Sequence, residues 1–419
     1  MATTTSLDRR RFITWGGAGA AGLALSGAAV TRLAFGDPAN PAAGDVLVQV
    51  FLRGGADGLS LVVPYGEGLY YDNRSSIAIP EPGQTNGALD LNGFFGFHPA
   101  MSALYEGPWA AGDLAVVHAT GLPDDTPHKR SHFEAQEYVE RCAITTSGSG
   151  WLARHLASSG GGSVLSGVGI GGSLSSSLKG YGNAISLWNP RNFGIQGFPG
   201  GVRNDVAPAL SDMYAAATGA LGDAAGSTLG ALGTMGSIDW DSLGPANGAE
   251  YRDNGLGRGL GHVARLIKSG VGLRAATVDF GGWDMHDNMG SPTDGWMAGR
   301  AAELADGLAA FYTDLGSAMS EVTVVVVSEF GRTTEENGNN GTDHGRGNMM
   351  LAMGGGISQG VYTDWPTLSR DDGDRDVNVT IDYRTILAEI AANRLDNVDL
   401  ERIFPNFAIP DTFVGVTTG

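Results

Sequence analysis

Residues 322–327 read V-T-V-V-V-V. A β-branched run with no polar face cannot lie half in water. It predicts a strand covered on both sides, as in a parallel sheet flanked by helices. The run stops at Ser328-Glu329-Phe330-Gly331-Arg332, and a Gly- and Asn-rich loop then leads to Asp343-His344-Gly345. In open α/β sheets ligands sit outside the carboxyl ends of the strands, which puts Glu329 where a site is expected. Two acids and a histidine near a strand end are the ligand types of a metal site. Asp and Asn in such a loop also serve as ordinary turn residues.

The same order of strand, polar loop and helix recurs along the chain. Asp45 to Leu52 is a first strand, ending in Arg53-Gly54-Gly55-Ala56-Asp57-Gly58. Its glycines permit a sharp turn and leave Asp57 free of bulky neighbours. His98-Pro99 opens a short helix, and Leu114 to His118 is a second strand. Ser131 to Val139 is a helix in which Ser131 and Glu134 have capping-box spacing. The Ser131 hydroxyl also falls among free backbone N–H groups that suit an anion, with His128 and His132 on either side. Trp151 to Leu156 reads as a helix, Val164 to Ile170 as a strand, and Leu260 to Lys268 as a helix with His262 as a packing residue. Leu273 to Phe280 is another buried strand, followed by Gly281-Gly282-Trp283-Asp284-Met285-His286. Helix Trp296 to Met319, strand Asn348 to Met353 and helix Tyr383 to Arg394 complete a parallel α/β pattern.

The ends and the middle of the chain behave differently. Asp8-Arg9-Arg10-Arg11-Phe12-Ile13 precedes an uncharged Gly/Ala-rich segment from Thr14 to about Val30. This is the pattern of a twin-arginine export signal. Ala34-Phe35-Gly36 has small residues at its first and third positions, so residues 1–36 are expected to be removed and 37–419 to form the mature protein. A membrane anchor is the competing reading, disfavoured by the glycines and the short length. No other run of about 18 apolar residues exists, so no stable membrane span is expected after cleavage. Loss of residues 1–36 removes four basic groups and one acid, and the net charge moves from −19 to −22. Such a charge argues against nucleic acid as a partner. The single cysteine, Cys142, allows no internal disulfide. A Gly/Ala-rich helical insertion is expected near 205–255. Asp372 to Asn378 begins like a calcium loop, but Val377 and Tyr383 stand where Gly and Glu are needed, so it reads as an acidic surface loop.

Gathered together, the candidates are Asp57, Ser131, Asp284, His286, Glu329, Asp343 and His344. Four carboxylates and two histidines suffice for one or two divalent ions, with Mg, Ca or Mn favoured by oxygen and Zn by nitrogen. A nearby hydroxyl is a nucleophile that a metal could activate. No G-x-S-x-G follows a strand, so a nucleophile elbow is excluded.

The segments R-R-R-F, G-G-A-D-G-L-S, S-H-F-E-A-Q, G-G-W-D-M-H, S-E-F-G-R-T and N-G-N-N-G-T-D-H-G occur in this order. In this the chain resembles a family of exported proteins known as domain of unknown function fifteen-oh-one, itself similar to the alkaline phosphatase and sulfatase superfamily. The resemblance implies a three-layer αβα sandwich around a mainly parallel sheet. It implies Ser131 as nucleophile and Asp57, Asp284, His286 and His344 as metal ligands, with Glu329 in place of a usual Asp. The chain departs from the pattern at Phe330, where phosphatases carry a metal-binding histidine, and in the close spacing of Asp284 and His286. The expectation is a periplasmic or secreted metal-dependent hydrolase of small phosphate or sulfate esters, exported by the twin-arginine machinery. The alternative is a non-catalytic binding or structural protein on the same fold.

Overall fold

The computed structural model describes residues 45–160, 163–194, 203–369 and 375–418. The expected signal segment and its cleavage site lie outside these residues. The main sheet has nine strands: β1 (Val46–Arg53), β2 (Leu114–Gly121), β3 (Gly167–Ile170), β4 (Ala184–Leu187), β5 (Ala275–Gly281), β6 (Val322–Ser328), β7 (Asn348–Met353), β8 (Gly360–Tyr362) and β9 (Ile381–Asp382). Their spatial order is β8-β2-β7-β6-β1-β5-β3-β4, with β9 also paired to β2. The principal helices are α1 (His132–Arg141), α2 (Trp151–Ser158), α3 (Arg203–Tyr214), α4 (Gly219–Ser237), α5 (Gly255–Lys268), α6 (Trp296–Leu315) and α7 (Tyr383–Asn393). The result is a mixed α/β fold around a mainly parallel sheet.

The run of valines becomes β6, beside β1 near the middle of the sheet and buried along 322–327. Alternation along β1 shows how both faces are covered. Val48, Val50 and Leu52 join an apolar cluster with Leu256, Leu260 and Val263 of α5 and Leu304, Leu308 and Phe311 of α6. Leu47 and Phe51 face a second cluster with Ala135 and Val139 of α1, Trp151 of α2 and Ile386 and Ile390 of α7. Removing one such buried aromatic, as in Phe51→Ala, is expected to cost about 3–5 kcal/mol. Gln49 is polar within this central strand, and its amide is satisfied by Trp151 Nε1 at 2.8 Å and Ser177 Oγ at 2.9 Å.

β7 departs from the parallel pattern, running antiparallel to both β6 and β2. The chain reaches it from β6 through the 329–347 loop, without a crossover helix to carry it back. A connection of that kind delivers an antiparallel neighbour. The expected strand from Val164 begins only at Gly167, because Ser163 to Ser166 form a turn closed by Ser166 N–H to Ser163 O at 3.1 Å. A small sheet of Val62–Val63, Gly96–Phe97 and Leu89–Asp90 was not anticipated, its strands being too short for any periodicity to register. The stretch near 205–255 does carry helices, α3 and α4.

What matters for the site is direction. β1, β5 and β6 are mutually parallel, and β2 runs the same way because β7 reverses twice between β6 and β2. The loops after β1, β2, β5 and β6 therefore all emerge at one edge of the sheet.

Candidate metal centre

Each of these loops supplies part of one cluster. The loop after β2 ends at Ser131, the N-cap of α1, and places His132 in the first turn. The loop after β5 carries Asp284 and His286, and the long loop after β6 carries Glu329, Arg332, Asp343 and His344. Two glycines allow the close approach. At Gly54, with φ +120°, a Cβ would stand 2.6 Å from the Asp284 nitrogen. At Gly341 it would stand 2.3 Å from the His286 carbonyl carbon. A side chain at either position would push the loops apart.

Asp284 is the centre. Its Oδ1 accepts from Arg332 Nη2 at 2.6 Å and lies 3.0 Å from His286 Nε2 and 3.2 Å from His344 Nε2. Its Oδ2 lies 3.4 Å from His132 Nε2. The Nε2 atoms of His286 and His344 are themselves 3.0 Å apart. Phe330 packs its ring 4.8 Å from His132 and 4.7 Å from His344, walling one side.

The other ring nitrogens are all tied back. His132 Nδ1 meets Glu329 Oε1 at 2.8 Å, His286 Nδ1 meets Asp343 Oδ1 at 3.1 Å, and His344 Nδ1 meets the Arg130 carbonyl at 2.9 Å. Ionised carboxylates and carbonyls only accept, so each Nδ1 must carry the proton. In its neutral form each ring then turns an Nε2 lone pair toward Asp284. Three lone pairs and a carboxylate facing one another repel unless a cation lies among them. Arg332 meets only part of that demand, through Oδ1. The buried Nε2 of His132 has no hydrogen-bond partner.

The electrostatics follow from these contacts. Burial pushes the Asp284 carboxyl up, but Arg332 and the neighbouring imidazoles outweigh it and bring its pKa down to about 2. Burial also works against ionised Glu329 and Asp343, and hydrogen bonds from His132 and Gln136 to the first, and from His286 and Asn337 to the second, hold both below the usual carboxylate range. The hydrogen bond to Glu329 raises the pKa of His132, whereas burial lowers that of His344. Arg332 is fully buried and also donates to the carbonyls of Gly54, Gly55, Thr342 and Trp283, tying three loops together.

His132, Asp284 and His344 each offer a ligand atom within 4.8 Å of the others. Ligands about 2.0–2.1 Å from a tetrahedral zinc ion stand about 3.4 Å apart, close to the separations measured around Asp284. Of the residues singled out from sequence, Asp284, His286, His344 and Asp343 come together here, with Glu329 behind His132. Asp57 does not join them. Its carboxylate takes two hydrogen bonds from Arg74, at 2.6 and 3.1 Å, one from Ser60 Oγ at 2.7 Å and one from Leu59 N–H at 3.2 Å. Burial opposes its charge, but Arg74 keeps it ionised. Ser131 caps α1 by position, yet its hydroxyl donates to the Glu134 carboxylate and makes no bond to the helix backbone, and its own N–H goes to the His128 carbonyl, so neither bond of the capping box forms. Asp376, read as part of a surface loop, is buried between Arg130 and Arg346.

The sequence alone assigns no role to His132, Gln136 or Arg332. One signal was available for the first two: they stand four residues apart in S-H-F-E-A-Q, and so share one face of α1. Both reach Glu329. Nothing local marked Arg332 as buried.

Residues 257–397 match a family model described as Protein of unknown function (DUF1501). The match runs from the first turn of α5 to just past α7 and contains Asp284, His286, Glu329, Arg332, Asp343 and His344, which supports placing the chain in that family. No curated protein matches the chain.

Proposed function

We propose that the protein is a metal-dependent hydrolase of phosphate or sulfate esters, built on an alkaline phosphatase-like three-layer fold and acting outside the cytoplasm. The observation that carries the proposal is the convergence of three imidazole Nε2 lone pairs on Asp284, with every Nδ1 tied back. A nitrogen-rich donor set with one carboxylate fits zinc better than magnesium or calcium, which prefer oxygen. His132, Asp284 and His344 would hold one ion, and His286 completes the set. Asp57 has spent its lone pairs on Arg74, Ser60 and Leu59, and Glu329 Oε1 is taken by three donors, so a single ion is expected. When bound, a divalent ion here supplies Lewis acidity toward an ester oxygen and lowers the pKa of a bound hydroxyl or water.

The chain's own groups then act as follows. Arg332 and the loops it ties keep Asp284 in place. Phe330 excludes water from one side of the His132 and His344 rings. Ser131, one residue before His132, is the nucleophile: its oxygen bonds to phosphorus or sulfur, its proton passes to Glu134, and the bond to the ester's alkoxide breaks, the alkoxide taking that proton and leaving as the alcohol. Water then cleaves the serine ester and restores the hydroxyl. Among the described residues no helix is long and apolar enough to cross a membrane. Export through the twin-arginine machinery predicts that Lys at both Arg9 and Arg10 traps the precursor in the cytoplasm. Unchanged export of that variant would remove the assignment.

The test is metal analysis of the purified protein, followed by turnover of aryl phosphates and aryl sulfates. About one zinc-class ion per chain with turnover of one ester class supports the reading, and Ser131→Asp should keep the metal and lose the turnover. A chain that binds no such ion contradicts it. A metal-loaded chain inert toward both ester classes favours the non-catalytic binding protein.

A further inference from the structure

We infer that Glu329 is a positioning residue, whose buried carboxylate holds His132 in the tautomer that turns its Nε2 lone pair toward Asp284. The functional weight of this rests on His132 being a metal ligand; the tautomer itself rests on hydrogen-bond geometry.

Glu329 is the first residue past β6, and its side chain is wholly buried. Its Oε1 accepts from the Gly54 N–H at 2.9 Å, Gln136 Nε2 at 2.9 Å and His132 Nδ1 at 2.8 Å. Its Oε2 accepts from the Ser328 hydroxyl at 3.0 Å. Three donors crowd Oε1, which has only about two lone-pair sites and so none left for an ion, while the Ser328 hydroxyl reaches Oε2 and also the Leu52 carbonyl at 2.8 Å. The donors come from the loop after β1, from α1 and from the end of β6, so the carboxylate cannot rotate without breaking contacts to three elements. Gln136 is fixed in turn. Its Oε1 accepts from Arg53 at 3.3 Å, which leaves its amide nitrogen to face Glu329, and Arg53 is anchored by Glu140 at 2.8 Å. His132 and Gln136 stand one helical turn apart and grip the same oxygen.

The three histidines differ in how they are held. Asp343, behind His286, has a side chain 63% exposed, so water competes for that bond. His344 is held by a backbone carbonyl. Only at His132 does a dry carboxylate set the tautomer, and in such surroundings a hydrogen bond is worth more. Carboxylates behind metal-bound histidines orient the ring and raise its basicity, and losing one typically weakens metal binding by about 10–100-fold.

The experiment compares Glu329→Ala with Glu329→Gln by zinc competition, and reads the His132 tautomer by nitrogen NMR in metal-free protein labelled with 15N-histidine. His132→Gln identifies the signal. Glu329→Ala should weaken zinc by about 10–100-fold. Glu329→Gln keeps a carbonyl acceptor for Nδ1–H but not the charge that raises the basicity of the ring, so its loss of zinc affinity should be clearly smaller than that of Glu329→Ala. The parent spectrum should show His132 protonated at Nδ1. If Glu329→Gln loses as much affinity as Glu329→Ala, Glu329 is a ligand and the inference fails. It also fails if His132 carries its proton on Nε2. Should Glu329→Ala not fold, Glu329→Gln and the parent spectrum decide. If the parent binds no zinc, the metal centre falls, while the spectrum still tells whether Glu329 sets the tautomer.

Discussion

Asp57 and Asp284 stand at matching places, a few residues beyond the ends of the adjacent parallel strands β1 and β5. Both are followed closely by chemistry-bearing residues, and both meet a fully buried arginine. Their outcomes are opposite. Asp57 is 2% exposed in its side chain and bound by both terminal nitrogens of Arg74. Asp284 is 47% exposed, takes one bond from Arg332 and faces three imidazoles. A carboxylate at a strand end becomes structural when an arginine takes both its oxygens. It stays available when the arginine takes one.

The largest expected effect separates the two on stability. Asp57→Ala leaves Arg74 buried without its partner, which should lower unfolding free energy by about 3–5 kcal/mol in denaturant titrations. Zinc affinity of the folded fraction should not change. A variant as stable as the parent would show that the pair is not structural.

Next is the converse change. Asp284→Asn removes the charge at the focus of three lone pairs. It should weaken zinc by more than about 100-fold, beyond the usual loss for an outer-shell partner. The metal-free protein should melt close to the parent, because Asn keeps an acceptor for Arg332, whose other bonds go to four backbone carbonyls. Equal zinc affinity in parent and variant would show that Asp284 is as structural as Asp57.

An effect that builds up gradually with pH comes from the histidines packed near Asp57. Burial holds the pKa of His98 and His118 down at about 4, against a partial opposing pull from Asp57. As pH falls below about 6.5 the unfolded chain takes up these protons before the folded one does. Stability should therefore fall between about pH 6.5 and 4, by up to about 1.4 kcal/mol per pH unit for each histidine. Denaturant midpoints of metal-free protein measure this, and His118→Gln should reduce the slope. An unchanged slope in that variant would mean that His118 protonates equally easily in both states.

The smallest effect belongs to Ser131. A hydroxyl that caps no backbone N–H should cost at most about 0.5 kcal/mol when removed as Ser131→Ala. A loss nearer 2 kcal/mol would show a full cap of the kind anticipated from the spacing.

Much of the sheet was legible because its strands are hydrophobic runs with sharp ends. The valines of β6, the alternating β1 and the strand before Asp284 all appear where the pattern put them. The antiparallel course of β7 was hidden because direction depends on the connection, and nothing inside Asn348–Met353 records it. Asp284, His286 and His344 could be read from their places after strands. Asp57 misled for the same reason, since its partner lies 17 residues away in a short helix end that no local pattern ties to it. His132 was overlooked beside Ser131, because a helix-starting serine has a familiar explanation and the histidine's partner is 197 residues distant.

The central claim is that one metal ion belongs among the Nε2 atoms around Asp284. Anomalous diffraction at the zinc absorption edge, on crystals grown with one equivalent of zinc, tests it directly. The account predicts one strong peak about 2.0–2.2 Å from His132 Nε2, His344 Nε2 and an Asp284 oxygen. No peak at this edge of the sheet, or a peak coordinated by Asp57 or Glu329 instead, would contradict it.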